Sequence, residues 1–418
     1  MSTELTPGTP EAEAEVVLDE ETVGVPDLLT EVDAASPPGV DTPDDAAPPL
    51  VITDSPPGPG GGTGPAAGGP DGRERLVDGG RAALRGILAF GAALAIFAAF
   101  LWAKGADPIA TYQAMWSAFA GDSNSLGELA VQSAPFVLAA LAVAIPARAG
   151  LFNIGGEGQL VLGAIGGLMM ADLMGNRFSP AIQLTLMAVG GMMGGAAWAL
   201  IPALLKRYAA TSEAITSLLL NYVATLLLAW LVHGPWKDTS SLGFPQSRSL
   251  EMDERFPLLD GSRLHAGVLI SVVVAVGMWF ILRATPWGFR LRVVGGNAEA
   301  ARRAGFRVGA ITISAMLVGG ALAGLAGTIE LSGVEGQLRP SMLVGYGFIG
   351  FLASWLVRHD PLKILGSAVL MGALAVGSNG LKSSAGLSGA AVYVLMAVLL
   401  LAILGWGTRR PGTRKAAR

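Results

Sequence analysis

The chain has 418 residues, of which 52% are hydrophobic, only 14% are charged and 58 are glycine. This composition is too apolar for an ordinary soluble protein of that length, so the lipid bilayer is the natural solvent. Cysteine is absent, which excludes a disulfide framework, a thiolate nucleophile and a cysteine-based metal site. With only three histidines present, we predict no metal site and no cofactor.

The formal charge of −4 hides a segregation of charge along the chain. Residues 1–72 contain 15 Asp and Glu but no Lys or Arg, whereas the remainder contains all 28 basic residues and 17 acidic ones. These basic residues do not cluster on one soluble surface. They are therefore interpreted as loop charge of a membrane protein, and nucleic-acid binding is not expected.

The first 72 residues are rich in Pro, Gly, Asp and Glu, and they lack enough clustered apolar surface to offset the entropy of ordering. We predict a disordered acidic tail. It is not a secretory signal, because the acidic residues precede any apolar stretch. A passive extension and a regulatory or partner-binding segment both remain open.

Residues 80–408 are predicted to form one transmembrane domain, an all-α polytopic bundle of about ten helices. Most of its apolar stretches approach the roughly 20 residues needed to cross a bilayer. The weakest stretch, 343–357, is either a span or a re-entrant or broken helix. The stretches lie at 86–103, 127–147, 155–175, 180–204, 213–233, 264–284, 309–329, 343–357, 363–380 and 389–406.

The distribution of basic residues tests this count. If both ends of the chain are cytoplasmic, 20 of the 28 basic residues fall inside, as the positive-inside rule requires. We therefore expect an even number of spans, with residues 409–418 as a basic cytoplasmic tail. The expected location is the bacterial plasma membrane, in direct contact with its lipid.

Two long connections are expected on opposite sides of the membrane. The outer one, from His233 to Arg263, is long enough for a small external cap or docking surface. The inner one runs from Arg283 to Arg307. Within it, Asn297 is a plausible N-cap and Gly305 a plausible terminator, so a short amphiphilic helix is predicted between them.

Glycines recur at spacings of four within two of the stretches. Such spacing lets helix backbones approach closely in lipid, and close packing is the favoured interpretation. Sliding of helices during gating is the alternative. The residues are Gly190, Gly191, Gly194, Gly195, Gly320 and Gly324.

A first polar cluster opens the third stretch. Asn153 can cap a helix and Glu157 would lie near the positive end of that helix, which is a purely structural interpretation. The adjacent glycines weaken the helix and expose backbone groups, which favours a gating or pore-lining role instead. Our candidates are Asn153, Gly155, Gly156, Glu157 and Gln159.

A second polar cluster lies within the fifth stretch, where polar residues recur every four positions. They are Glu213, Ser217, Asn221 and Thr225. These side chains share one helix face, which in lipid must face protein or water. Ser217 and Asn221 are further pathway candidates, and Asn221 is about 12 Å from the helix start. Hydrogen bonding to a neighbouring helix is the alternative, and Glu213 could be a cap.

Enzyme signatures are weak. No Gly-Lys pair occurs, so the chain has no phosphate-binding loop and energy must come from a partner or a gradient. The segment Gly386-Leu-Ser-Gly389 matches a pattern of intramembrane serine proteases, but His233, His265 and His359 all lie in or beside loops. A transport subunit is predicted, with an intramembrane enzyme as a distant alternative. A gradient-driven transporter is a third, but no mid-span carboxylate is evident.

Three segments carry a family resemblance. Asn153-Ile-Gly-Gly-Glu-Gly-Gln159 resembles a signature of ATP-binding-cassette (ABC) importer permeases in the branched-chain amino acid, simple-sugar and nucleoside branch. Ser212-Glu-Ala-Ile-Thr-Ser-Leu-Leu-Leu-Asn-Tyr222 is similar to the nucleoside-type members. Val294-Gly-Gly-Asn-Ala-Glu-Ala-Ala-Arg-Arg-Ala-Gly305 is similar to the family's cytoplasmic coupling segment.

The resemblance implies an importer permease for nucleosides or related small polar solutes, with a simple-sugar (ribose-type) permease as the alternative. It implies three kinds of partner: a separate ATP-binding cassette subunit that hydrolyses ATP, a second and often non-identical permease subunit, and an extracytoplasmic solute-binding protein. It also makes the inner helix the contact for the ATPase. The implied coupling residues are Gly296, Asn297, Ala300, Ala301, Arg302 and Gly305.

Overall fold

The computed structural model describes residues 72–241, 243–258 and 263–407. The expected acidic tail, apart from its last residue, and the expected basic tail at 409–418 lie outside these ranges. The described part is a bundle of α-helices, as the apolar stretches predict. The helices are α1 (Gly72–Ala103), α2 (Pro108–Ala120), α3 (Ser123–Ala147), α4 (Gly156–Met174), α5 (Pro180–Ala209), α6 (Glu213–His233), α7 (Ala266–Ala284), α8 (Pro286–Gly296), α9 (Ala298–Arg303), α10 (Val308–Glu330), α11 (Tyr346–Leu356), α12 (Pro361–Ala385) and α13 (Ala391–Gly407).

Each of the ten predicted stretches coincides with one helix of the bundle. Within the described ranges, seven helices are long and apolar enough to cross a membrane, namely those of α1, α3, α5, α6, α7, α10 and α12. Two further apolar helices, α11 and α13, are shorter. The described chain is therefore a polytopic membrane bundle, and the count of about ten membrane helices is consistent with it.

Two helices, α2 and α8, were not predicted. Helix α2 has only 13 residues, too few to span a bilayer, and it begins where the Asp107 carboxylate accepts the N–H of Ile109 at 2.9 Å. It packs on α12 at Gly380, where an added Cβ would lie 2.3 Å from the carbonyl oxygen of Ala114. Helix α8 begins with a similar cap, from the Thr285 hydroxyl to the N–H of Gly288.

Helix α3 forms the centre of the bundle. Of its apolar window, 83% is buried, against 22% to 28% for α5, α6 and α7. The outer helices turn apolar side chains outward instead. On α6, Leu219, Tyr222 and Leu226 are each about two-thirds exposed, which suits a surface that meets lipid or another membrane subunit.

Glycines bring α4, α5 and α10 into direct backbone contact. An added Cβ at Gly163 would lie 2.2 Å from the Cα of Gly324, and one at Gly324 would lie 2.1 Å from the carbonyl oxygen of Gly191. An added Cβ at Gly195 would lie 2.2 Å from the carbonyl oxygen of Gly320. No other residue fits between these backbones, so the prediction of close helix packing at these glycines is confirmed.

The stretch 343–357 is a broken span. After α10 the chain makes a π-helical turn over Leu331–Glu335 and runs without regular helix until α11. Helix α11 has 11 residues and is about 16 Å long, roughly half of a bilayer core. The irregular segment before it is partly buried, with Leu338, Met342 and Leu343 packed inside the bundle, and backbone without regular helix is tolerated at membrane depth where protein surrounds it.

The bundle has two chemically different ends. We call one the basic end, because it carries Arg148, Lys206, Arg207 and Arg283 together with helices α8 and α9. The predicted short helix of the inner connection is present there as α9. The other end, which we call the capped end, carries the connection between α6 and α7.

This connection lies along the irregular segment that follows α10. The N–H groups of Ser247 and Leu250 donate to the carbonyl oxygens of Leu338 and Gly336, at 3.0 and 2.7 Å. The predicted cap is therefore an ordered structure over the described parts of the connection. It is bound to the region where the membrane helix is interrupted.

Arg248 links the cap to the bundle through hydrogen bonds and an ion pair. Both guanidinium Nη atoms of Arg248 donate to the buried carboxylate of Glu254, at 2.7 and 2.9 Å, and its Nε lies 2.5 Å from Asp172 at the end of α4. Burial alone would raise the pKa of Glu254, but the hydrogen bonds from Arg248 and the Glu251 N–H outweigh it and hold this pKa below its usual range.

Candidate functional site

Residues 150–158 lead from the turn after α3 into the first turn of α4 at the basic end, and we call them the 150–158 segment. The non-helical backbone up to residue 155 and the first turn of α4 leave N–H and C=O groups that need partners inside the bundle. Asn153 is fully buried and donates to the carbonyl oxygen of Ala142 at 3.0 Å. Its amide also pairs reciprocally with that of Gln159, at 3.0 and 2.9 Å, so both side chains are satisfied.

The polar residues of α6 supply most of the remaining partners. Glu213 accepts the N–H of Phe152 at 3.1 Å and is paired with Lys206, whose Nζ lies 2.5 Å from Glu213 Oε2. The Ser217 hydroxyl accepts the N–H of Ile154 at 3.2 Å. Glu213 therefore joins two elements of the basic end and does not act as a helix cap.

Asn221 makes the most specific of these contacts. Its side-chain oxygen accepts the N–H of Gly158 at 2.8 Å, and its amide nitrogen donates to the carbonyl oxygen of Ile154 at 2.9 Å. A single amide therefore satisfies a donor and an acceptor of the 150–158 segment. Thr225, one turn further on, bonds only within its own helix, to the carbonyl oxygen of Asn221.

The glycines of this segment permit its close approach to three helices. An added Cβ at Gly155 would lie 2.9 Å from the Cβ of Ser217 on α6, and one at Gly158 would lie 2.8 Å from Nε1 of Trp198 on α5. An added Cβ at Gly156 would lie 3.5 Å from the Cα of Gly347 on α11. The segment is thus inserted between α5, α6 and α11.

Glu157 lies where α4 and α11 begin. It is 8% exposed, occupies the first turn of α4, and accepts the N–H of Gly345, the N-cap of α11, at 2.9 Å. Negative charge is favourable at helix N-termini, and here one carboxylate serves two of them. Gly347 allows the approach, since a Cβ there would lie 2.1 Å from the Glu157 nitrogen.

The seven pathway candidates are therefore brought together in one buried contact. The side chains of Asn153, Gln159, Ser217 and Asn221 are each at most 4% exposed, and their hydrogen bonds are made within the protein. The contact between the 150–158 segment and α6 holds the described conformation together. A role in gating requires that these same hydrogen bonds open.

The predicted coupling residues lie around α9. The Asn297 side chain accepts the N–H of Ala300 at 2.9 Å, which confirms the predicted N-cap. Gly305 has a φ of +84°, a conformation that favours glycine, and it follows the last turn as predicted. Gly296 ends α8 and has open space around its Cα, with nothing within 4 Å of an added Cβ.

Ala301 and Arg302 face in opposite directions. Ala301 is 1% exposed and packs inward, so it can influence a partner only by positioning α9. The Arg302 side chain is 66% exposed and pairs with Glu299 at 2.6 Å. Beside this helix lies a groove of about 550 Å³, lined in part by Trp287, Arg290 and Arg307, that sequence reasoning did not find.

A buried carboxylate was also missed. Glu330, at the end of α10, is 1% exposed and accepts a hydrogen bond from the Tyr346 hydroxyl at 2.9 Å. That hydroxyl in turn accepts from the Gln132 amide at 2.9 Å. Glu330 is the last residue of α10, so the expectation that no carboxylate lies near mid-span is not contradicted by it. Glu330 stands at the end of an apolar stretch, where the sequence could not tell it from a loop residue.

Within the described part of the chain, no histidine is hydrogen-bonded to Ser388 of the serine-protease pattern, and His233 bonds the carbonyl oxygen of Ala229 in its own helix. The Ser388 hydroxyl accepts the N–H of Ala390, whereas His359 bonds Ser354 and His265 caps α7. Among the described residues no group of His, Asp and Glu could hold a metal ion.

A polytopic bundle with a basic end, a buried polar contact and a broken span is the architecture of a multi-pass membrane protein. Residues 125–404 match the family described as the branched-chain amino acid transport system permease component. The chain belongs to this family of membrane permeases, and its relatives are transport subunits rather than enzymes.

Several characterised permeases are similar to the chain. The glucose ABC transporter permease protein of Haloferax volcanii is 35% identical over 75% of this chain and 84% of its own length. The guanosine permease NupP of Bacillus subtilis is 32% identical over 74% and 89%. The nucleoside permease NupB of Lactococcus lactis is 30% identical over 73% and 86%. Bacillus subtilis has a second similar guanosine permease, NupQ, at 28% identity over 58% and 77%.

Proposed function

We propose that the chain is one permease subunit of an ABC importer that carries nucleosides across the plasma membrane. The family match over residues 125–404 supports the permease role, and the relatives NupP and NupB are named for guanosine and nucleoside transport. The observation that carries the proposal is the contact made by Asn221. It lies in the segment similar to nucleoside-type permeases and holds the 150–158 segment against α6.

We place the basic end in the cytoplasm, with both termini on that side. The excess of Lys and Arg at this end supports the assignment through the positive-inside rule. The cap on the α6–α7 connection then faces outward. Its exposed Phe244 and Met252, 71% and 86% exposed, offer an apolar surface to an extracytoplasmic solute-binding protein.

The ATPase subunit docks at α9 and at the adjacent groove. The exposed guanidinium groups of Arg302 and Arg303, at 66% and 80% side-chain exposure, and the open space at Gly296 support this placement. The chain has no Gly-Lys pair for a phosphate-binding loop, so its partner must bind ATP. Closure of that partner would move α9 and, through the buried Ala301, the helices behind it.

The second permease subunit is non-identical. Bacillus subtilis has two guanosine permeases similar to this chain, NupP and NupQ, which supports a pair of different subunits. When the pair rearranges, the hydrogen bonds between the 150–158 segment and α6 break and re-form. Asn153, Gly155, Gly156, Glu157, Gln159, Ser217 and Asn221 are then gating residues rather than permanent pore-lining residues.

Uptake by the assembled transporter tests the function. The chain is reconstituted in proteoliposomes with the ATPase, second permease and solute-binding protein encoded beside it, and ATP-dependent uptake of radiolabelled guanosine is measured. We expect uptake that needs every subunit. Uptake without the ATPase, or none with all subunits present, would contradict the proposal.

A charge reversal tests the coupling assignment. Arg302→Glu should abolish ATP-dependent uptake, while Lys104→Glu, an exposed change between α1 and α2, should leave it unchanged. Both variants should assemble to wild-type amounts in the membrane. Wild-type uptake by Arg302→Glu would overturn the placement of the ATPase at α9.

A simple-sugar permease is the second candidate. The glucose permease of Haloferax volcanii is 35% identical to the chain, slightly more than NupP at 32%. Competition decides between the two candidates. An excess of unlabelled guanosine but not glucose should suppress guanosine uptake, and direct uptake of labelled glucose would favour the sugar assignment.

A further inference from the structure

A chamber with a mixed polar and apolar lining opens between α3, α11, α12 and α13, on the side of the bundle where α12 ends and α13 begins. Its volume of about 300 Å³ matches the smaller ligand pockets of proteins. Gln132 and Tyr346 line it from one side, and Ser378, Lys382, Ser388 and Tyr393 from the other. These residues are separate from the contact made by Asn153 and Asn221.

Three of the lining side chains have no hydrogen-bond partner within the described part of the chain: Ser378, Lys382 and Tyr393. Two of them converge on one point, since an added Cβ at Gly389 would lie 3.4 Å from Ser378 Oγ and 3.5 Å from Lys382 Nζ. Lys382 and Tyr393 are exposed at the opening of the chamber and Ser378 is half-buried, so these groups can meet water or a solute that enters it. The chamber therefore offers donors that the fold itself does not use.

The opposite wall of the chamber is fixed in orientation. The Tyr346 hydroxyl is held between the Gln132 amide and the fully buried Glu330 carboxylate, each 2.9 Å away. The Tyr346 ring packs edge-on against Phe136, another lining residue, with centroids 5.1 Å apart. An aromatic wall facing a set of free donors suits a flat or ring-shaped solute that carries oxygen acceptors.

We propose that this chamber is a solute-binding station within the bundle, and that it takes ring compounds bearing several hydroxyl groups, such as a nucleoside or a monosaccharide. The Lys382 ammonium and the Tyr393 hydroxyl donate to oxygens of the solute, and the aromatic wall contacts its ring. This inference rests on the proposed transport function but identifies where the solute binds. The buried contact around Asn153 remains a gate, because its own hydrogen bonds are already made.

This chain contains no cysteine, so a single one can be introduced without removing others from it. The Ser388→Cys variant of the full transporter is treated with a charged, water-soluble methanethiosulfonate, with and without saturating guanosine, and separately with glucose. The control is Ser240→Cys, an exposed position on the α6–α7 connection. The expected result is that the transported compound slows labelling of Ser388→Cys several-fold and leaves Ser240→Cys unchanged.

A second pair of variants measures the contribution of the free ammonium group. Lys382→Gln should lower guanosine uptake several-fold at an unchanged amount of assembled complex, while Lys237→Gln on the α6–α7 connection should not. The chamber assignment is overturned, and the transport function stands, if the wild-type transporter takes up guanosine but two results are negative. In that case guanosine does not slow labelling of Ser388→Cys, and Lys382→Gln takes up guanosine at the wild-type rate. If wild-type transporter takes up neither compound, the proposed function fails instead.

Discussion

The Glu157 carboxylate accepts the backbone N–H of Gly345 at 2.9 Å, across 188 residues of sequence. The contact places one negative charge at the N-termini of α4 and α11. Each helix begins beside a non-helical segment, so each has unsatisfied N–H groups that would otherwise be left without partners inside the bundle. Glu157 therefore connects the start of the third predicted span to the broken span.

Replacing Glu157 separates charge from hydrogen bonding. Glu157→Gln keeps an oxygen that can accept from Gly345; it gives up about 0.3–1 kcal/mol of dipole interaction per helix end, but it also removes a carboxylate that is costly to bury. Glu157→Leu leaves the Gly345 N–H unsatisfied, at a cost of about 1–3 kcal/mol. We expect the Tm in detergent to fall further for Leu than for Gln. Equal Tm values for the two variants would show that the Gly345 contact contributes nothing.

Asn221→Leu should be strongly destabilising. The leucine has the same number of side-chain heavy atoms but is bulkier and cannot bond Gly158 and Ile154, so two buried backbone groups lose their partners at about 1–3 kcal/mol each. Thr225→Val is the matched control, because Thr225 bonds only the carbonyl oxygen of Asn221 in its own helix. Thermal unfolding of the purified protein measures both changes. A Tm for Asn221→Leu close to that of Thr225→Val would disprove the structural role of this amide.

Gly324→Ala tests the direct contact of α5 and α10. Its Cβ would lie 2.1 Å from the carbonyl oxygen of Gly191, so the helices must move apart, at a typical overpacking cost of about 1–3 kcal/mol. The same change at Gly277 on α7 meets nothing within 4 Å. Gly277→Ala should therefore leave Tm unchanged or raise it slightly. A harmless Gly324→Ala would mean that the two backbones are not in contact.

His359 is held in its neutral form at the basic end. Its Nδ1 lies 2.9 Å from the Ser354 hydroxyl, and its carbonyl oxygen accepts from Arg148 at 3.1 Å. Burial, together with the positive charge of Arg148, lowers the pKa of His359 from 6.5 to about 4. His359 also has a φ of +63°, a conformation that asparagine adopts more readily than most residues.

The depressed pKa of His359 predicts a loss of stability in acid. Above pH 6.5 the imidazole is neutral in both the folded and unfolded chain, so it has no effect on stability. Between pH 6.5 and about 4 only the unfolded chain binds the proton, so the free energy of unfolding decreases as the pH falls. His359→Asn cannot titrate and should show a smaller fall in Tm between pH 7 and pH 5. Parallel curves for the two proteins would rule out His359 as the cause.

The helices could be predicted because each one corresponds to a run of consecutive apolar residues, whose length can be read directly from the sequence. Each of the ten apolar stretches is a helix, and the caps of α9 follow from Asn297 and Gly305 alone. Helix α2 was not predicted, because it is too short to span a bilayer and its residues resemble a loop between spans. The break before α11 left only a weak apolar signal over 343–357.

The sequence predicted only part of the candidate site. Residue types and spacing identified Asn153, Gln159 and Asn221. They did not show that Asn221 would bond the backbone of Ile154 and Gly158, because these contacts join residues more than 60 positions apart. Glu330 and Lys382 could not be recognised either. Each stands at the end of an apolar stretch, where a charged residue normally marks the membrane surface, and only tertiary packing buries Glu330.

The glycine contacts of α4, α5 and α10 also restrict how the molecule can change shape. Backbones that touch without intervening side chains leave no room for one helix to tilt into another, so we expect these three helices to move together as one rigid body. A cycle that exposes a binding station alternately to two sides of a membrane must therefore use hinges elsewhere. The broken span before α11 and the non-helical turn before α4 are the joints that this rigid body leaves available.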